Sequence, residues 1–210
     1  MDLSKTLGNY IEELSSSSPT PGGGNVAALC GVLATSLGSM VCALTIGKKK
    51  YTDVEEEMKS IQGALKNLQD DFLSLAKKDN EAFDKVMEAF KLPKETEEQK
   101  NARRNEIDNA TLNAAIVPAE VIAKCKQILP YLAFVAEKGN QNSISDAGVA
   151  LSLISTAAQG AFLNVVINCS GLLNRVTAEE FLKRSEIPYR EVKRECDNLI
   201  TSMIDKMNAS

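Results

Sequence analysis

Two stretches of this chain, residues 25–47 and 147–174, contain no charged side chain. Each is long enough for a helix of more than about six turns. A charge-free helix can be accommodated in a bilayer or in the interior of a helical bundle. By length, and with Lys48, Lys49 and Lys50 on its flank, the first stretch would suit a membrane span. Its composition points the other way, because Ala, Gly, Ser, Thr and Cys outnumber the large aliphatic side chains. The expectation is therefore two buried helices inside a bundle, with no membrane partner.

The intervening sequence supplies helices to surround them. From Thr52 to Phe90, apolar residues recur at Val54, Met58, Ile61, Leu65, Leu68, Phe72 and Leu75, then at Phe83, Val86 and Phe90. Alternating steps of four and three define one buried stripe on a long helix. At the position between Leu75 and Phe83 where the stripe calls for a hydrophobe stands Asp79. Leu3, Leu7, Tyr10, Ile11 and Leu14 mark a short helix over 3–14, ahead of a serine run and Pro19-Thr20-Pro21-Gly22-Gly23-Gly24. Thr96-Glu97-Glu98-Gln99 reads as a capping box that opens a helix stopping at Gly139, with bends expected at Pro118 and Pro130. Ser145 or Asp146 suits the cap of the second charge-free helix. Thr177 is expected to cap a short helix to about Glu186, and a last helix follows Pro188 and runs through Met207. No alternating strand pattern occurs. The reading is an all-α, multi-helix bundle, a single domain over residues 1–210.

Composition narrows the chemistry. The chain has no histidine, which removes Ser-His-Asp and Cys-His catalysis and the zinc sites that use His. Proton transfer must then fall to a carboxylate, Lys, Tyr, Cys or water. A net charge of −4 with interspersed signs, and aromatic residues at only 5%, argue against nucleic acid as a partner. The five cysteines show no CxxC spacing and sit among apolar neighbours, as small buried hydrophobes of a reducing compartment do. Met1 to Lys5 carry no apolar signal core, so the cytoplasm is expected.

Asp79 is the candidate for acid–base work. A carboxyl group held inside an apolar stripe keeps its proton to higher pH and can donate it; a slightly rotated helix would instead put it on a solvated edge. The glycines at 22–24 precede a helix start, where backbone N–H groups are free for an anion, although a flexible connection has the same spacing. Lys48 to Lys50 could steer an anionic ligand or form a solvated turn. Asn164 and Asn168 share one helix face and could bond a neighbouring helix or a polar heterocycle.

Several of these segments together resemble the cyclodeaminase/cyclohydrolase family, which includes the C-terminal half of formiminotransferase-cyclodeaminase and the free-standing methenyltetrahydrofolate cyclohydrolases. The matching segments are 19–24 and Ile46-Gly47-Lys48-Lys49-Lys50-Tyr51, then Asp79-Asn80-Glu81-Ala82-Phe83 and Leu92-Pro93-Lys94. Val117-Pro118, Gly139-Asn140, Ser145-Asp146 and Asn164-Val165-Val166-Ile167-Asn168 follow in order. The resemblance runs from about residue 5 to 185. It implies an all-α homodimer, here expected to close-pack through Gly31, Ala34 and Gly38, that binds a tetrahydrofolate in a cleft without metal or other cofactor. The family's proton donor falls on Asp79. Pro21, Gly22, Gly23, Gly24, Lys48, Tyr51, Asn140, Ser145, Asp146, Asn164 and Asn168 carry over as substrate-binding residues, through contacts to the folate or through helix packing. The implied activity is 5-formiminotetrahydrofolate cyclodeaminase, releasing ammonia to give 5,10-methenyltetrahydrofolate. The alternative is 5,10-methenyltetrahydrofolate cyclohydrolase. No formiminotransferase domain is expected on this chain, so that enzyme would be a separate partner. Cys169-Ser170-Gly171-Leu172 departs from the more charged sequence usual in the family after the Asn168 position.

Overall fold

The structure, a computed structural model, describes residues 6–209. Six α-helices follow one another: α1 Leu7–Leu14, α2 Gly23–Thr45, α3 Glu55–Phe90, α4 Glu97–Lys138, α5 Ile144–Ser170 and α6 Arg175–Asn208. Short connections send α2 to α6 alternately up and down the bundle. Helix α2 packs on α3 and α5, α4 packs on α3 and α5, and α6 packs on α5 and α4. The two charge-free helices therefore lie side by side in the middle.

The α3 stripe is buried as its spacing predicts: Met58, Ile61, Leu65, Leu68, Phe72 and Leu75 are in the core. Against it, α2 offers small residues. A Cβ on Gly31 would strike the Phe72 ring, and one on Gly38 would strike Leu132 and Leu65. Gly31, Ala34 and Gly38 therefore close-pack α2 inside one chain, and the expectation that they join two copies is corrected. The charge-free helices are also buried on one side only. Both are long and apolar enough to cross a membrane by length and composition, with half of the α2 window and 39% of the α5 window inside the bundle. The inner face is packed, and the outer face stays uncharged and exposed.

Other boundaries shift for local reasons. Leu3 lies outside the described residues. In α1 only Tyr10 is buried, while Leu7 and Ile11 are exposed. The Thr96–Gln99 capping box forms, and Gly139 ends α4 by bonding back to Val135. Helix α4 continues through Pro118 and Pro130 as one element. At α5 the N-cap is Ser143, so Ser145 and Asp146 fall within the first turn. Helix α6 is capped by Asn174, whose side chain accepts from the Thr177 N–H, and runs unbroken through Pro188. Ala178, Ser185, Val192 and Cys196 form one buried stripe on both sides of that proline, and Phe162 stacks on Tyr189. Packing holds the helix together where local sequence calls for a break.

Candidate active site

The burial of the α3 stripe ends at Asp79. Beyond it, Phe83 and Val86 are half-buried and Phe90 is 49% exposed, because α2 has reached its N-terminus and leaves their side uncovered. The result is a cleft of about 300 Å³ at one end of the bundle. Its walls are Thr20, Gly22, Gly23 and Gly24 from the start of α2, Phe83 and Val86 from α3, Thr111 and Ala114 from α4, and Asn164, Ile167 and Asn168 from α5. Among the described residues that line it, Asp79 alone is ionisable.

Helix α2 begins against that carboxyl group. A Cβ on Gly24 would overlap the Asp79 carboxylate, so glycine is what lets the first turn of α2 lie on it. Burial pushes the Asp79 carboxyl above its ordinary value, and the backbone N–H of Asn25 pulls partly the other way. Desolvation wins, as it does where apolar walls outweigh donors. The buried Asn25 side chain anchors this junction. It accepts from the Tyr10 hydroxyl at 2.9 Å and donates to the Ala76 carbonyl at 2.7 Å and to Asn80 at 3.2 Å. Helix α1 is thereby fastened to α2 and α3 one turn from Asp79.

On α5, Asn164 donates to the Gly160 carbonyl and Asn168 to the Ala114 carbonyl, both at 2.9 Å. Both amide nitrogens are thus engaged, and among the described residues neither side-chain oxygen accepts a hydrogen bond. The two oxygens remain as acceptors for a ligand.

The carried-over residues divide into two groups. Gly22, Gly23, Gly24, Asp79, Asn164 and Asn168 meet in the cleft, and buried Pro21, preceded by a cis peptide, supports its glycine wall. Lys48, Tyr51, Asn140, Ser145 and Asp146 lie at the other end of α2, roughly 35 Å away at 1.5 Å per residue. Several have structural duties there. Asn140 donates its side-chain amide to the Leu44 carbonyl and its backbone N–H to Thr45, filling acceptors at the α2 C-terminus. The Tyr51 hydroxyl accepts from the Gln141 N–H at 3.0 Å. Asp146 sits in the first turn of α5, where negative charge suits the helix dipole. Lys48 and Ser145 are exposed.

Tyr10, Asn25, Thr111 and Ala114 are the site residues the sequence reading misses. For Asn25 a signal existed: a lone amide directly after three glycines, at the head of a charge-free helix. For Thr111 and Ala114 there was none, since only the crossing of α4 and α5 selects them.

Residues 6–186 match the formiminotransferase-cyclodeaminase family. A methenyltetrahydrofolate cyclohydrolase from Methylorubrum extorquens is 44% identical over 182 residues, 87% of this chain and 88% of that protein. The formimidoyltransferase-cyclodeaminase of Gallus gallus is 30% identical over 210 residues, and this chain spans 38% of its length. The crystal structure of formiminotetrahydrofolate cyclodeaminase from Thermotoga maritima superposes with a TM-score of 0.80 at 33% identity, covering 95% of this chain and 98% of that one. With the match extending over nearly the whole bundle, the chain belongs to the formiminotransferase-cyclodeaminase family.

Proposed function

We propose that this protein opens the methenyl bridge of 5,10-methenyltetrahydrofolate, giving 10-formyltetrahydrofolate, with Asp79 handling the proton. The observation that carries this reading is the single ionisable group among the described residues that line the cleft, a desolvated carboxyl against the glycine start of α2. Water adds to the cationic methenyl carbon, which becomes tetrahedral between N5 and N10. Asp79 as carboxylate takes a proton from that water and then delivers it to N5 as the C–N5 bond breaks. The carbon keeps its oxygen as a formyl group on N10, and the second water proton leaves to solvent. The free oxygens of Asn164 and Asn168 suit ring N–H donors of the pterin. This chemistry calls on no metal or further cofactor.

The 44% relative supports the hydrolase, whereas the Thermotoga maritima structure supports 5-formiminotetrahydrofolate cyclodeaminase, the reading the sequence put first. There N10 attacks the formimino carbon, and Asp79 protonates the departing amine so that it leaves as ammonia. A separate formiminotransferase would supply that substrate. An absorbance assay for the methenyl chromophore decides between them: loss of signal from methenyl-folate marks the hydrolase, and gain of signal from formimino-folate marks the deaminase. A purified, folded protein that changes neither substrate would overturn the reading.

The same reading places the protein in the cytoplasm as a homodimer. The support for the dimer is the uncharged outer face of the two central helices, with Leu33, Met40 and Leu44 exposed on α2 and Val149, Leu163 and Ile167 on α5. Apolar stripes of this kind mark association surfaces. Sedimentation should give a dimer, and Leu163→Glu should give a monomer.

A further inference from the structure

Phe83 follows Asp79 by one turn of α3, on the same face of the helix and about 6 Å further along its axis. Both side chains line the cleft, and among the described residues Phe83 is its one aromatic wall. The ring is half-buried, so part of it still faces the open space. A hydrophobe of the stripe thus stands beside the carboxyl where the bundle stops covering it.

The same stripe offers a comparison two turns further on. The Phe90 ring already has the Arg103 guanidinium over it at 5.5 Å, and Arg103 also donates to the Phe90 carbonyl. Phe83 has no such neighbour. Among the described residues neither a cation nor a second ring stands over its face. The cleft supplies no cation either, since its other walls are glycine backbone, amides, a hydroxyl and aliphatic groups. An aromatic face carries partial negative charge and attracts a cation, most strongly where water is excluded. Asp79 adds to that bias whenever its carboxyl is ionised.

The chemistry of the bridge supplies a partner of matching shape and sign. In 5,10-methenyltetrahydrofolate one positive charge is spread over N5, the bridge carbon and N10 of a flat five-membered ring. A formyl-folate differs by one added hydroxide and is neutral there. Resting on the folate reading above, we propose that Phe83 is a specificity-determining residue, its ring face receiving the cationic methenyl ring and making the cleft prefer that form over neutral formyl-folates. Asp79 then meets the bridge from one turn away on the same helix face. Once water has added and the bridge has opened, the charge is gone and the Phe83 ring loses its partner. The surface that holds the cation therefore lets the formyl product go.

The test measures the affinity of full-length Asp79→Asn protein for 5,10-methenyltetrahydrofolate and for 5-formyltetrahydrofolate, in mildly acidic buffer where the methenyl bridge persists. Phe83 is replaced by phenylalanine carrying one, two or three ring fluorines, which draw charge from the ring face and nearly keep its shape. Affinity for the methenyl form should fall stepwise, by about tenfold at three fluorines, equivalent to about 1.4 kcal/mol. Affinity for the formyl form should hardly change. Phe83→Leu, which keeps an apolar wall, should show the same selective loss. The same substitutions in the wild-type background give a second measurement of the preference, from the Michaelis or inhibition constants of the two folates. Equal losses for both folates would make Phe83 a packing residue and overturn the proposal, as would a methenyl affinity indifferent to fluorination. Either result leaves bridge chemistry at Asp79 standing. Binding of neither folate, by wild type and Asp79→Asn alike, would remove the underlying reading and this proposal with it.

Discussion

Asn168 gives its side-chain amide to the carbonyl of Ala114, the acceptor left open by Pro118, which has no N–H to return four residues back. A cleft residue on α5 thus repairs the interruption in α4, and the repair ties the two walls of the cleft together. Pro118 and Asn168 form one device although fifty residues separate them.

That device predicts a coupling. Asn168→Ala leaves a buried carbonyl unpaired, so it should cost about 1–3 kcal/mol in chemical denaturation. Pro118→Ala restores the backbone donor, and in that background the same substitution should cost much less. Additive losses in the double-mutant cycle would show that the two sites are independent.

Asp79→Asn keeps the shape of the side chain and cannot transfer a proton. The variant should fold, bind folate and lose roughly 10²–10⁴-fold in turnover. The two candidate reactions differ in the limb of the pH profile. Hydrolysis starts from the carboxylate and should fall as pH drops; deamination starts from the acid and should fall as pH rises. Either midpoint should lie above about 3.9, the value for an unperturbed Asp, because burial raises this carboxyl.

The same shift affects stability. A carboxyl whose folded value is raised favours the folded state most below the unfolded value of about 3.9, and that contribution is lost as pH rises through the folded value. Asp79→Asn removes the ionisation. Its melting temperature should therefore exceed that of wild type near pH 8, and the gap should close near pH 3. A gap that stays constant across this range would mean the carboxyl is not strained by burial.

Gly24 and Gly23 should respond differently to one methyl group. A Cβ at Gly24 overlaps the Asp79 carboxyl, whereas at Gly23 it meets the Asn164 amide at an ordinary 3.4 Å. Gly24→Ala should displace the carboxyl and cost about 10²-fold in turnover, as small misplacements of reacting groups do. Gly23→Ala should retain most activity and stabilise α2 by about 0.4–1 kcal/mol. Turnover and denaturation on both variants check this.

Tyr10 is the buried anchor of α1, through its bond to Asn25. Tyr10→Phe leaves the Asn25 oxygen without that donor and should cost about 1–3 kcal/mol. Amide hydrogen exchange should rise over residues 7–14 and in the first turn of α2, with little change in α6.

What could be read from the chain itself was what local order determines. The stripe from Met58 to Leu75, its interruption at Asp79, the Thr96 capping box and the two charge-free helices follow from spacing and residue type, which need no knowledge of neighbours. The resemblance added candidate residues, without positions in space. Only packing showed that α2 starts where the α3 stripe loses its cover, which lays Gly24 on Asp79 and opens the cleft. Packing also carried α6 through Pro188, brought Asn168 to Ala114, and separated Lys48 and Tyr51 from Asp79 by the length of a helix. The reason is physical: periodicity records which face of a helix is buried, whereas the direction and crossing of helices depend on side chains far apart in sequence. The partners of Asn25 and Asn168 are set by those crossings, and so they are absent from any local pattern.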